Sequence, residues 1–143
     1  MRLLVPLDLS AATARVLETA MAVARDTGAQ VWLLHVAEPD PEFVGYDAGS
    51  AGVRDQVAHE YREEHRQLQE HARQLREAGV DTTPLLIRGP TADTILREAE
   101  HLGVELIVMA THGRGAMFDL LVGSISHAVL RRSRIPVLMV PAR

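Results

Sequence analysis

The chain has 143 residues, 47% hydrophobic and 24% charged, with a net charge of −4 and a pI near 5.9. That is the composition of one soluble globular domain, residues 1–143, and its acidity argues against bulk nucleic-acid binding, which wants a basic face. Cysteine is absent and all 15 basic residues are arginine, which excludes disulfides, thiolate metal sites, thiol nucleophiles, Walker-A phosphate binding and Schiff-base chemistry.

No apolar run approaches the length of a membrane span, and the first residues are too few and too soon charged for a signal peptide. A cytoplasmic protein is expected.

Leu3 to Leu7 reads as a first strand, followed by a turn at Asp8-Leu9-Ser10 with Ser10 as N-cap of a helix over Ala11 to Asp26. In that helix Val16, Leu17, Ala20, Met21 and Ala24 recur at helical spacing, and Gly28 lies just past its end. Val31 to Val36 is apolar enough for a strand covered on both faces. Pro39 to Gly52, rich in Pro, Gly and Asp, is too long for a tight connection and reads as a mobile surface loop.

Arg54 to Ala78 is a long charged helix with a narrow apolar stripe of Val57, Tyr61, Leu68, Ala72 and Leu75. Val80 to Ile87 follows as a strand whose Pro84 marks a sheet edge. Thr91 caps a third helix, in which Ile95, Leu96 and Ala99 face inward. Val104 to Ala110 is a fourth strand, Ser124 to Arg132 a fourth helix, and Ile135 to Val140 a fifth strand, expected at the other sheet edge. Strands alternating with helices predict a three-layer α/β sandwich around a parallel sheet.

The chemistry concentrates in Met109-Ala110-Thr111-His112-Gly113-Arg114-Gly115, followed by Gly123-Ser124-Ile125-Ser126. Small residues after a buried strand let backbone N–H groups approach an anion, and a helix starting near Ser124 aims its positive end at the same place. A serine there can cap the helix or bond a phosphate oxygen. Strand, glycine turn, excursion, glycine, helix is the pattern of a phosphate site, and a capped helix start after a loop is its bland alternative.

Asp8 stands at a strand's carboxyl end as a ligand or as a turn residue. Arg114 is either a phosphate partner or a solvated cation. His59, His65 and His71 lie six residues apart on the long helix. They point to different sides, so solvated positions are expected rather than a metal site. The Arg131, Arg132 and Arg134 cluster suits a helix C-terminus, and the apolar Met117, Phe118, Leu120 and Leu121 read as core.

Val5-Pro6-Leu7-Asp8, Ala110-Thr111-His112-Gly113 with nine residues before Gly123-Ser124, and Ile135-Pro136-Val137-Leu138-Met139-Val140 together resemble the universal stress protein family over essentially the whole chain. The resemblance implies a parallel sheet of order 3-2-1-4-5, an adenine nucleotide alpha hydrolase-like fold. It also implies a G-x-x-G-x9-G-[S/T] nucleotide motif, in which this chain carries Ala110 at the first glycine. An added methyl is tolerated in extended backbone and harmful at positive φ or against a phosphate.

In an open α/β sheet of that order the ligand crevice lies where the order reverses, between the first and fourth strands. By the same resemblance, Pro6, Leu7, Asp8, Val36 and Met109 surround adenine and ribose. Ala110, His112, Gly113, Arg114, Gly115, Gly123, Ser124, Ile125 and Ser126 then hold the phosphates. The implied ligand is ATP, with Mg²⁺ able to accompany the phosphates, and the implied assembly is a homodimer through strand 135–140. A nucleotide-responsive regulatory module is the leading function, with a dimeric interaction protein that binds no nucleotide and a slow ATPase as alternatives. No catalytic residue and no protein metal ligand is assigned.

Overall fold

The computed structural model describes residues 1–37, 51–113 and 122–142. Most of the expected loop 39–52, and with it Arg114, Gly115, Met117, Phe118, Leu120 and Leu121, lie outside the described residues.

The chain runs β1 (Arg2–Pro6), α1 (Thr13–Thr27), β2 (Gln30–Ala37), α2 (Ala51–Glu77), β3 (Thr82–Arg88), α3 (Thr91–His101), β4 (Leu106–Ala110), α4 (Ser124–Arg132) and β5 (Val137–Val140). All pairings are parallel and the sheet order is β3-β2-β1-β4-β5. The order implied by the resemblance is therefore the order observed. Both predicted edges are edges, and Pro84 sits on β3, where its missing N–H breaks no interior ladder.

Side chains alternate across the sheet with period two, so each strand feeds two cores. Leu3 and Val5 of β1, Val31 and Leu33 of β2, Val108 of β4 and Val140 of β5 pack with Val16, Leu17 and Ala20 of α1 and Leu68, Ala72 and Leu75 of α2. On the opposite face Leu4, Leu34, Val36, Ile107 and Met109 pack with Ile95 and Ala99 of α3 and Val129 of α4. These two cores are the physical content of the three layers.

The helix ends depart from the sequence reading. Ser10 does not cap α1: Ala12 is the N-cap, and the Ser10 hydroxyl accepts the Ala12 N–H one turn earlier. The helix waits because Leu9, the only described non-glycine residue in the left-handed region (φ +61°), first reverses the chain. Likewise Pro90, not Thr91, precedes α3, since proline has no N–H to lose there and fixes the helix entry.

α2 begins at Ala51, earlier than expected, so Gly52 is helical rather than part of the loop. β4 begins at Leu106 and β5 at Val137, because Val104 is already spent closing the α3 C-terminus, where its N–H bonds the Ala99 carbonyl.

α2 spans 27 residues, about 40 Å at 1.5 Å per residue. Leu68, Ala72 and Leu75 are buried, whereas Val57 and Tyr61 are only half-buried. Its docking therefore lies in the C-terminal half. The outer face carries exposed ion pairs; Arg66 foremost, then Gln67, hydrogen-bonds Glu63 and holds its carboxyl at about 2.

His59 and His65 are exposed as expected. His71 is not: it is half-buried, its Nδ1 is buried without a hydrogen-bond partner, and desolvation lowers its pKa against the opposing charge of Glu70. Spacing placed it on a different side from its two neighbours, and that side turns out to be the docked one.

Candidate functional site

The reversal of strand order brings the carboxyl ends of β1 and β4 side by side, and the residues that leave those strands meet. After Pro6 the chain continues one rung, with the Leu7 N–H on the Leu34 carbonyl at 2.8 Å. It then turns through Asp8. One carboxylate oxygen of Asp8 accepts the Ser10 N–H at 3.0 Å, closing an Asx turn over the left-handed Leu9. The other oxygen lies where a side chain on Gly113 would begin: a Cβ built on Gly113 falls 2.6 Å from Asp8 Oδ2. A side chain at 113 would thus have to displace the Asp8 carboxylate, and the two predicted halves of the site meet at this approach.

From β4 the chain leaves through Thr111. Its N–H continues the ladder to the Val140 carbonyl at 2.9 Å, and its carbonyl accepts the Gly123 N–H at 2.7 Å. That last bond draws the start of α4 back beside the β4 exit. Gly123 is the N-cap, in extended backbone, and no side chain caps the helix. The first bond within the helix runs from the His127 N–H to the Gly123 carbonyl at 2.8 Å. The N–H groups of Ser124, Ile125 and Ser126 accordingly have no partner within the helix, and together with the helix dipole they favour an anion. A Cβ on Gly123 would meet backbone only at ordinary contact, 3.5 Å from His112 Cα and Thr111 O. Packing alone therefore does not demand a glycine at that position.

The individual side chains are placed as follows. Ala110 is the last residue of β4, paired with Val140, and packs against the α1/α2 core. Its backbone is not among the positive-φ positions, so the extended, tolerant case applies to its extra methyl. Ser126 is buried and its hydroxyl donates to the Ala110 carbonyl at 2.8 Å. It ties α4 to β4, and only its N–H remains for a ligand. Ser124 and Ile125 are exposed.

His112 is buried. The Thr111 hydroxyl accepts the Ala142 N–H at 3.2 Å and is hydrogen-bonded to His112 Nδ1 at 2.9 Å. Val36 and Met109 are buried in one cluster on the α3/α4 face, while Pro6 and Leu7 are buried at the end of β1. No cluster of three or more acidic or histidine side chains able to hold a metal occurs among the described residues. Among them, too, no helix is long and apolar enough to cross a membrane.

Sequence reasoning passed over His35. It sits in the apolar run Val31-Trp32-Leu33-Leu34-His35-Val36, and period-two alternation puts it on the α1/α2 face with Val31 and Leu33. It is 7% exposed, with Nδ1 2.7 Å from the Leu7 carbonyl and Nε2 against the Glu64 carboxylate of α2. The available signal was a polar residue on a face that has to be dry.

A doubly covered parallel sheet of order β3-β2-β1-β4-β5 defines an open α/β protein whose crevice lies at the reversal of strand order. The universal stress protein family profile matches residues 1–141, and the chain belongs to that family. Universal stress protein YxiE of Bacillus subtilis is 30% identical over 147 residues, covering 97% of each chain. Among solved structures, that of MJ0577, a universal stress protein of Methanocaldococcus jannaschii, superposes with a TM-score of 0.81 at 24% identity, covering 98% of this chain and 94% of that one. The universal stress protein from Archaeoglobus fulgidus in complex with dAMP superposes with a TM-score of 0.68 at 21% identity, covering 97% and 96%.

Proposed function

We propose that this chain binds an adenine nucleotide, ATP with Mg²⁺, in the crevice between the β1 and β4 exits. The observation that carries the reading is the convergence of three features on one spot. The Asp8 turn touches Gly113, the Gly123 N–H folds α4 back onto Thr111, and α4 opens there without a side-chain cap. The dAMP complex of the Archaeoglobus relative supports the choice of ligand class.

The residues present fit such a group. The N–H groups of Ser124, Ile125 and Ser126 offer donors to phosphate oxygens, and Gly113 admits a close approach. In this reading Asp8 faces the ribose, while Val36 and Met109 give adenine apolar walls. Bound Mg²⁺ offsets phosphate charge while keeping most of its waters, so it needs few protein ligands.

The protein acts as a nucleotide-responsive module of the cytoplasm. It is a homodimer through β5, and the bound state is read by a partner through whatever surface differs in affinity for ligand. The test is calorimetric titration of Mg²⁺-ATP into the purified chain beside Gly123→Val, with circular dichroism confirming that both are folded. Binding by the native chain and its loss in the variant is expected. A folded native chain that takes up no heat would move the protein to the non-nucleotide interaction class.

A further inference from the structure

The β1–β2 ladder stops one rung short, and a side chain stands at the unmade rung. In parallel pairing the even residues of β2 face β1: the Gln30 N–H bonds the Met1 carbonyl at 2.9 Å and the Leu34 carbonyl takes the Leu7 N–H at 2.8 Å. The odd residues face β3, as the Val31 N–H on the Asp81 carbonyl and the Gly89 N–H on the Ala37 carbonyl show. Continuing the series, the next rung would join the Val36 N–H to the Leu7 carbonyl. Among the described residues that bond is not made. The Leu7 carbonyl is instead taken by His35 Nδ1 at 2.7 Å.

A carbonyl oxygen only accepts, so Nδ1 carries a proton and donates it. Nε2 faces the Glu64 carboxylate. The ring is thereby held from both ends, by β1 and by α2, in a site 7% exposed. The consequence falls on the neighbouring peptide. Val36 keeps, on its β1-facing side, an N–H and a carbonyl that the sheet has not used. A donor and an acceptor on one residue of extended backbone form the complement of a planar heterocycle edge that offers one acceptor and one donor.

We infer that His35 is the positioning residue of the base-binding half of the crevice: by occupying the Leu7 carbonyl it keeps the Val36 peptide open to the edge of a nucleobase, and Glu64 holds the ring to that task. This rests on the nucleotide reading above, and it assigns no contact between His35 and ligand.

Two substitutions separate the ring's two bonds. His35→Asn keeps a donor where Nδ1 stands and gives up Glu64. His35→Leu gives up both and frees the Leu7 carbonyl to close the rung. Amide hydrogen exchange at Val36, read by NMR on the ligand-free protein, is expected to slow at least tenfold in His35→Leu and to stay near the native rate in His35→Asn. Titrations with Mg²⁺-ATP and with adenosine are expected to weaken about tenfold or more, by a common factor, in His35→Leu and less than threefold in His35→Asn. Gly123→Val should weaken ATP and spare adenosine, a split that a general loss of stability does not produce.

Unchanged Val36 exchange and unchanged adenosine affinity in a folded His35→Leu protein would overturn the inference. Equal damage from Asn and Leu would overturn it as well, reducing His35 to a packing residue. Should the native chain bind neither ATP nor adenosine, the nucleotide reading falls, and the exchange arm still decides whether His35 withholds the rung.

Discussion

At the scale of single residues, two glycines in one motif differ in what surrounds them. Gly113 is exposed and outside the positive-φ region, yet a side chain there would begin 2.6 Å from Asp8 Oδ2. Gly123 has room for a Cβ among the described residues, so packing against them does not demand a glycine there. Gly113→Ala is expected to push Asp8 out of its Asx turn, losing a hydrogen bond worth about 1 kcal/mol. Asp8→Ala removes the obstacle. The double variant is therefore expected to be more stable than the sum of the singles by about 0.5–3 kcal/mol, the range of coupling between residues in contact. Urea denaturation of the four proteins measures this without any ligand, and strict additivity would show that the two turns do not meet.

The motif spacing was legible in the sequence, as was the small size of residue 113. The partner that crowds it was not, because Asp8 and Gly113 are 105 positions apart and only the strand order joins them. The same holds for Ala110. From sequence its methyl was either harmless or harmful, and the extended backbone at the end of β4 decides for harmless at the level of conformation.

At the scale of elements, periodicity located every strand and helix, and local chemistry misjudged their ends. Ser10 and Thr91 are good capping residues that do not cap. In each case a backbone constraint, the left-handed Leu9 or the fixed φ of Pro90, sets where the helix can begin. The long helix α2 shows the limit of spacing arguments from the other side. Six-residue spacing correctly separates its histidines, and only docking shows which of them is desolvated.

His71 carries a pH consequence. Its pKa is lowered in the folded protein, chiefly by desolvation, so the unfolded chain binds the proton more readily. Stability from this site is present in full above the unfolded value near 6.5 and declines as pH falls below it toward the depressed folded value. His71→Leu is expected to flatten the fall in urea midpoint between pH 7.5 and the acid side of 6.5, relative to the native chain. An identical fall in both proteins would assign the acid sensitivity to other groups.

At the scale of the whole molecule, the open question is what covers the β5 edge. Backbone groups of the even residues of β5 are turned to β4: the Ile107 N–H bonds the Pro136 carbonyl and the Thr111 N–H bonds the Val140 carbonyl. Val137 and Met139 therefore present their N–H and carbonyl groups outward, an unpaired edge of the kind that proteins pair or protect. The proposed homodimer pairs this edge with its copy. One chain is 15.7 kDa, so light scattering is expected to report about twice that mass.

Met139→Pro deletes an outward N–H without touching the β4 ladder. It is expected to run as a monomer with unchanged circular dichroism. A native chain that stays monomeric at all concentrations would sink the dimer. If the dimer forms and ATP binds, saturation a hundredfold above Kd should add about 2.7 kcal/mol to stability, a second, calorimetric reading of the same site.

The sequence by itself determined the class of the molecule. Apolar runs of strand length alternating with amphipathic helices pointed to the doubly covered parallel sheet that the structure has, because that pattern is local, and the Gly-Ser step after a buried strand raised the expectation of an anion site on the same local ground. What the tertiary structure decided is everything that depends on residues far apart in the chain meeting at the reversal of strand order. It set Asp8 against Gly113, turned the Ser126 hydroxyl into a strut on Ala110, and placed His35 on the carbonyl of Leu7. A single chain carries no trace of such pairs until the order β3-β2-β1-β4-β5 puts their strands side by side. The roles of the residues in this crevice were therefore fixed by neighbours that no periodicity or motif spacing records.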